Sequence, residues 1–327
     1  MGKYLELFRS AFDSSIDEKT KLENRPYVAY STVTGDVVYT VVPKKEEEDT
    51  DTTFRFISRE DDNVVDFSNK AWLGHIADSK KQNVYLKVND GEWVSIANQT
   101  SFTLNTGDKL YFKNEGEDLK AFNDSSASIG TTTKTFDVAG NVDEFMIPSG
   151  NMTDRQYSDL FKNTKVVDAS KLLLRATTLA ERCYQSMFYE CTSLTTAPEL
   201  PTTTLAPYCY QSMFYNCTSL TTAPALPATT LAGNCYQSMF RDCSSLTSAP
   251  ELPATTLVEG CYYWMFRGCA SLNHIKCLAT DISANSCTGY WVDMVSNSGT
   301  FVKHPATTWE TGLSGIPSGW TVVDAEI

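Results

Sequence analysis

The residues most able to do chemistry in this sequence are its ten cysteines. Cys183, Cys209, Cys235, Cys261 and Cys287 lie 26 residues apart, and Cys191, Cys217, Cys243 and Cys269 repeat that interval eight residues later. Thiols could hold zinc or form disulfides, but zinc sites want Cys-x2–4-Cys spacing with further ligands close by. Each cysteine here is flanked by aromatic or apolar residues, as a small buried hydrophobe in a tight stack would be. The reading is packing, with no metal and no cofactor. Cys277 alone is out of register, and a Cys277–Cys287 bridge stays open.

His75, His274 and His304 are far apart and fit no nucleophile or metal pattern. There is no Gly-rich phosphate loop and no Gly-x-Ser-x-Gly element. Carboxylates are abundant, so a glycosidase pair is open in principle, but nothing singles out two of them. No catalytic residue is assigned, and the chain is not expected to be an enzyme.

Aromatic and arginine positions are the better lead. Tyr184, Tyr210, Tyr236 and Tyr262 form one column in the 26-residue register, read as packing at a core edge. A second column changes character: Tyr189 and Tyr215 give way to Arg241 and Arg267, while Tyr263 and Trp264 replace the Gln and Ser of earlier copies. Repeat proteins bind through the positions that vary, and Tyr, Trp and Arg are favoured contact residues. The ligand-binding candidates are therefore Tyr189, Tyr215, Arg241, Trp264 and Arg267.

The element that must position these residues is the repeat itself, Cys-Tyr-x-x-Met-Phe-x-x-Cys-x-Ser-Leu-x-x-x-Pro-x-Leu-Pro-x-Thr-Thr-Leu. No copy can bury its apolar groups alone, so copies must stack, each Cys, Met, Phe and Leu on its counterpart. The Ser-Leu-Thr-Thr-Ala-Pro-Glu-Leu segment is expected to be a short parallel strand and Cys-Tyr-Gln-Ser-Met-Phe a helical turn. Residues 151–175 read as a degenerate first copy with one extra residue. The array is expected to end after Asn273, because Trp291 and Val292 stand where Met and Phe should be.

Upstream, 27–33 and 37–42 flank Thr34-Gly35-Asp36 and read as a hairpin. The charge run from Lys44 to Thr52 reads as a solvated linker. Seven short β-rich runs between 53 and 138 suggest a small β-sandwich. The fold class is thus mostly β with short helices. It divides into an N-terminal segment (1–45) carrying the hairpin, an acidic linker (46–52), a β-sandwich domain (53–147), a leucine-rich-repeat-like solenoid (148–297) and a C-terminal cap (298–327).

The net charge of −13 argues against nucleic acid or an anionic membrane as partner. Neither a secretion signal nor an apolar run of membrane-spanning length is visible, so the thiols are expected to fold reduced, in the cytosol of the producing cell.

The Met-Phe-x-x-Cys-x-Ser-Leu-x-x-x-Pro core resembles the BspA-type leucine-rich repeat, with Met for Ala and Ala197, Ala223 or Ala249 for Ile. The whole chain is similar in style to structural proteins of phages and prophages of gut Bacteroidales, including crAss-like phages. The similarity lies in its Tyr-Leu-Glu-Leu-Phe opening, its Val-Tyr-Leu-Lys-Val-Asn-Asp-Gly-Glu-Trp-Val segment and its Gly-Ile-Pro-Ser-Gly-Trp-Thr-Val tail. That resemblance implies a virion protein, a head fibre or capsid decoration, with a tail fibre as alternative. It also implies homo-oligomers, other virion proteins as partners through the N-terminal segment, and a host-surface glycan or protein as ligand. A bacterial surface adhesin would need an export signal and an anchor. A glycan-processing enzyme would need activity that single Asp or Glu changes abolish.

Overall fold

The computed structural model describes residues 28–33, 36–41, 51–68, 78–119, 129–150 and 152–326. They belong to two units, 1–51 and 52–327. The Tyr4–Phe8 stretch, His75, the Thr34-Gly35 turn and the charge run up to residue 50 lie outside the described residues. What is described is strand and turn in several sheets, with very little helix.

In the first unit, β1 (Val28–Val33) and β2 (Asp36–Val41) pair antiparallel from Val28↔Val41 to Val33↔Asp36.

The second unit begins with β3 (Arg55–Ser58), β4 (Asn63–Asp66), the short helix α1 (Asp78–Lys81), β5 (Val84–Val88), β6 (Val94–Ser95), β7 (Ser101–Leu104) and β8 (Lys109–Asn114). The last β-rich run divides into β9 (Thr131–Thr132) and β10 (Phe136–Asn141), which join different sheets. A second short helix, α2 (Val142–Met146), and β11 (Lys171–Leu173) follow. One sheet runs β11-β10-β3-β8-β5-β6 and another β7-β4-β9. Phe67 ties them together, its ring 6.2 Å from Phe102 of β7 and 5.9 Å from Phe112 of β8. Because β11 pairs in parallel with β10, the larger sheet crosses residue 147 without a break. One cluster of buried side chains extends from Phe54 to Trp320.

From Arg155 to Asp293 the backbone repeats one pattern of turns and hydrogen bonds in each 26-residue copy, each copy making one coil of the chain. The Cys-Tyr-Gln-Ser-Met-Phe segment, expected as a helical turn, is instead a run of consecutive tight turns. From the second coil on, odd-numbered amides close the turns, as in Gln185 N–H to Arg182 O (3.1 Å) and Tyr189 N–H to Ser186 O (3.0 Å). Even-numbered amides donate to the next coil, 25 residues on: Tyr184 to Cys209 (2.9 Å), Ser186 to Gln211 (2.8 Å), Phe188 to Met213 (2.9 Å). An α-helix would satisfy both sets internally. Here the stack supplies half of them, so no buried amide needs the helix. The geometry requires a left-handed residue every fourth position, as at Arg182, Ser186 and Glu190, with φ of 57°, 54° and 58°. Later coils place Asn216, Asn234, Asp242, Gly260 and Gly268 at such points, residue types that tolerate this region. Arg182, Glu190, Tyr208 and Trp264 occupy the same positions, so residue type alone does not mark the turns.

The ladder also outruns the expected end of the array. Tyr262, Trp264, Phe266 and Gly268 donate to Cys287, Gly289, Trp291 and Asp293 at 2.8–2.9 Å. In this last coil the Tyr column has become Thr288 and the Phe column Val292, while the Met position carries Trp291. Trp291 is fully buried and meets both Tyr262 and Phe266 at 6.2 Å. One large ring thus replaces the volume lost at two positions, the kind of exchange a packed core tolerates.

On the other side of the coils the expected strand is reduced to single parallel bridges, such as Thr222↔Ser248. Pro198, Pro224 and Pro250 follow within two residues and lack the N–H needed to extend the ladder. Where Lys276 takes the proline position, a true strand forms. β12 (His274–Cys277), β13 (Thr300–Lys303) and β14 (Thr321–Asp324) make a parallel sheet. Trp309 seals the core end, stacked on Trp291 at 5.6 Å.

Candidate functional site

The five candidate residues form one continuous row along the side of the coils. Tyr189 and Tyr215 stack with ring centroids 4.5 Å apart and planes 3° apart. The Arg241 guanidinium lies between two rings, 5.2 Å from Tyr215 and 5.0 Å from Trp264, and Arg267 sits 5.6 Å from Trp264. Every member is half-buried. Burial pushes the Tyr189 phenol up, and the neighbouring Tyr215 adds to it.

The sequence reading missed three members. Lys162 caps the row with Nζ 4.9 Å from the Tyr189 centroid and 3.3 Å from Asp159. Asp293 ends it, 3.0 Å from Arg267 Nε, and Asp242 lies 3.3 Å from Arg241 Nε. Lys162 belongs to the first coil, one residue out of step, and Asp293 to the last, where the motif has drifted. Counting in steps of 27 and 26 from Tyr189 and Arg267 finds both.

The geometry sharpens what the row can do. Tyr215 is covered by Tyr189 from the coil before and by Arg241 from the coil after, and two guanidiniums lie over Trp264, with Tyr263 4.5 Å away. Ring faces are therefore occupied within the row, and what it offers a ligand is ring edges, hydroxyls and guanidinium N–H groups. Cation–π stacks of this kind contribute about 0.5–1 kcal/mol each at exposed sites. Beside it, Gln185 Nε2 donates to Gln211 Oε1 (2.8 Å), and Gln211 Nε2 to Gln237 Oε1 (3.0 Å).

The thiols are interior. All ten are free and buried, so Cys277 and Cys287 are not bridged, and Cys287 Sγ donates to Ile282 O at 3.2 Å. Burial pushes Cys183, Cys191, Cys243 and Cys277 to about 12, which keeps them protonated and unreactive at neutral pH. The two cysteine columns differ in a way spacing does not reveal. Cys191, Cys217, Cys243 and Cys269 each donate to a phenylalanine carbonyl one coil back, at 2.9–3.1 Å. In the first coil Thr164 holds that column and donates to Phe161 O at 2.7 Å.

Among the described residues no group of three or more His, Cys, Asp or Glu comes together as metal ligands would. Asp143 is the one described carboxyl with a raised pKa. Burial raises it, against hydrogen bonds from Tyr157 Oη (2.5 Å) and Arg175 N–H (3.2 Å). It lies where α2 meets the first coil, as a structural contact. No protein-family model, curated protein or solved structure matches this chain.

Proposed function

We propose that this chain is a phage virion structural protein, a head fibre or capsid decoration, whose β-sandwich and leucine-rich-repeat-like solenoid form a rigid body displayed toward the host surface. The observation that carries the reading is the continuity of unit 52–327, set apart from unit 1–51. One core cluster runs through the larger unit, and its parallel pairing continues from β10 by way of the coils to β14. A body of this kind keeps its shape at a distance from its attachment point, which a displayed surface needs. Residues 1–45 then serve as the anchor to other virion proteins.

The row from Lys162 to Asp293 is the attachment surface in this reading. Because its ring faces are covered, it favours edge-on and hydrogen-bonded contact with a protein or a polar glycan over stacking on sugar rings. Deleting residues 1–45 should give a folded protein absent from purified particles, read by mass spectrometry of the virions. Normal incorporation of the deletion would sink the anchor assignment. Absence of the full-length protein from particles would sink the virion assignment.

A further inference from the structure

The parallel ladder has two unlike ends. At its N-terminal end β10 is paired on its far side with β3, so no free edge remains there. At its C-terminal end β14 is the last described strand of the ladder, and among the described residues nothing covers either of its faces. Thr321, Val322, Val323 and Asp324 are all exposed, the two valines at 45% and 44%. Its neighbour β13 buries Phe301 completely. The five exposed large apolar side chains among the described residues, Tyr290, Met294, Leu313, Val322 and Val323, all belong to this last coil and tail.

The inner edge of β14 is used. Thr321 N–H donates to Gly299 O (2.9 Å), Ala325 N–H to Lys303 O (2.8 Å), and Lys303 Nζ lies 2.7 Å from Asp324 Oδ1. Backbone groups alternate sides along a strand, so the N–H and C=O of Val322 and Asp324 point outward, with no partner among the described residues. A strand with both faces wet gains little from its own side chains. A further strand on that edge would satisfy its outward groups and cover its valines.

We propose that β14 is a self-association edge, through which two copies of this chain join tail to tail with their β14 strands antiparallel. Head-to-tail growth along the ladder finds no free edge at β10, whereas a two-fold axis needs only one surface that complements itself. A two-fold normal to the sheet sets residues of like parity opposite each other. Centred on Val323, it brings the two Val323 side chains together and pairs Val322 with Asp324 of the partner copy through their outward groups. Thr321 then faces Ala325 of the partner copy, and no carboxylate faces another. The inference does not rest on the virion assignment.

The test is light scattering on the full chain with three variants. Val322→Pro removes an outward N–H and leaves the bonds to β13 intact. Val323→Lys sets two ammonium groups against each other at the axis. Each should halve the mass of the wild-type particle and leave a monomer that still unfolds in one cooperative transition, its melting temperature no longer rising with protein concentration. Val323→Cys places two thiols at a close, non-hydrogen-bonded pair, within disulfide reach. Mild oxidation should then give a covalent pair on a non-reducing gel that dithiothreitol reverses, an outcome independent of contacts made elsewhere in the chain. A wild-type chain that stays monomeric, its edge left for another protein's strand, overturns the proposal. So does an unchanged mass in folded Val323→Lys, or failure of Val323→Cys to cross-link.

Discussion

The thiol of Cys217 donates to the carbonyl oxygen of Phe188 at 3.1 Å, joining one coil to the coil before it. The same oxygen accepts the Cys191 amide within its own turn at 3.1 Å. Both its acceptor sites are thus used, and the cysteine is a buried donor as well as a small hydrophobe. Cys217→Ala should destabilise the protein by about 1–3 kcal/mol, the cost of leaving a buried acceptor short of a donor plus lost contact. Cys217→Ser, which keeps a donor as Thr164 does, should lose less. Urea midpoints would show it, and equal losses would mean that the thiol hydrogen bond contributes nothing.

Thiol accessibility follows from the same burial. With native protein at neutral pH, a disulfide reagent such as Ellman's should react slowly, because the thiols are buried and held protonated. In denaturant all ten should titrate. A count of eight would reveal a Cys277–Cys287 bridge and contradict the free thiols.

Asp143 sets a pH dependence of definite sign. Its folded pKa is raised by burial, so the folded state binds its proton more tightly than the unfolded chain does. Its contribution is therefore fully present below the ordinary aspartate value and is lost as pH rises through the raised one. Asp143→Asn should remove that dependence, so the stability of wild type relative to the variant should fall as pH rises from below the ordinary aspartate value through the raised one. Denaturation measured across that range with no change in the difference would refute the assignment.

Backbone conformation predicts a contrast between two positions in one column. A Cβ on Gly268, φ +78°, would lie 2.1 Å from Asp242 Oδ1, so Gly268→Ala should destabilise. Glu190 has φ 58° in the corresponding place. Glu190→Asn should be neutral to stabilising, by about 0.5–1 kcal/mol, since Asn tolerates the left-handed region. Thermal melts should show Gly268→Ala lowered and Glu190→Asn unchanged or raised.

Arg241 tests the lateral row. Arg241→Ala should cost about 1–2 kcal/mol by separating Tyr215 from Trp264. Arg241→Lys should recover little of it, because an ammonium cannot lie flat between two rings. Full rescue by lysine would reduce the row to charge alone.

The sequence alone determined the period, the identity of nearly every core column and the five members of the lateral row, because stacking copies every 26 residues leaves those positions no other register. It also foretold the short strands, since β-rich runs between turn residues have few alternatives. Four features were decided only by tertiary structure: the turn conformation of the Cys-Tyr-Gln-Ser-Met-Phe segment, the thiol donors, the covering of the ring faces and the free edge at β14. The physical reason is common to all of them. Half of the turn amides, the Phe188 carbonyl and the Tyr215 ring find their partners one coil away. The local sequence states which groups need partners; only the packed stack states where those partners are, and along the outer edge of β14 the described residues supply none.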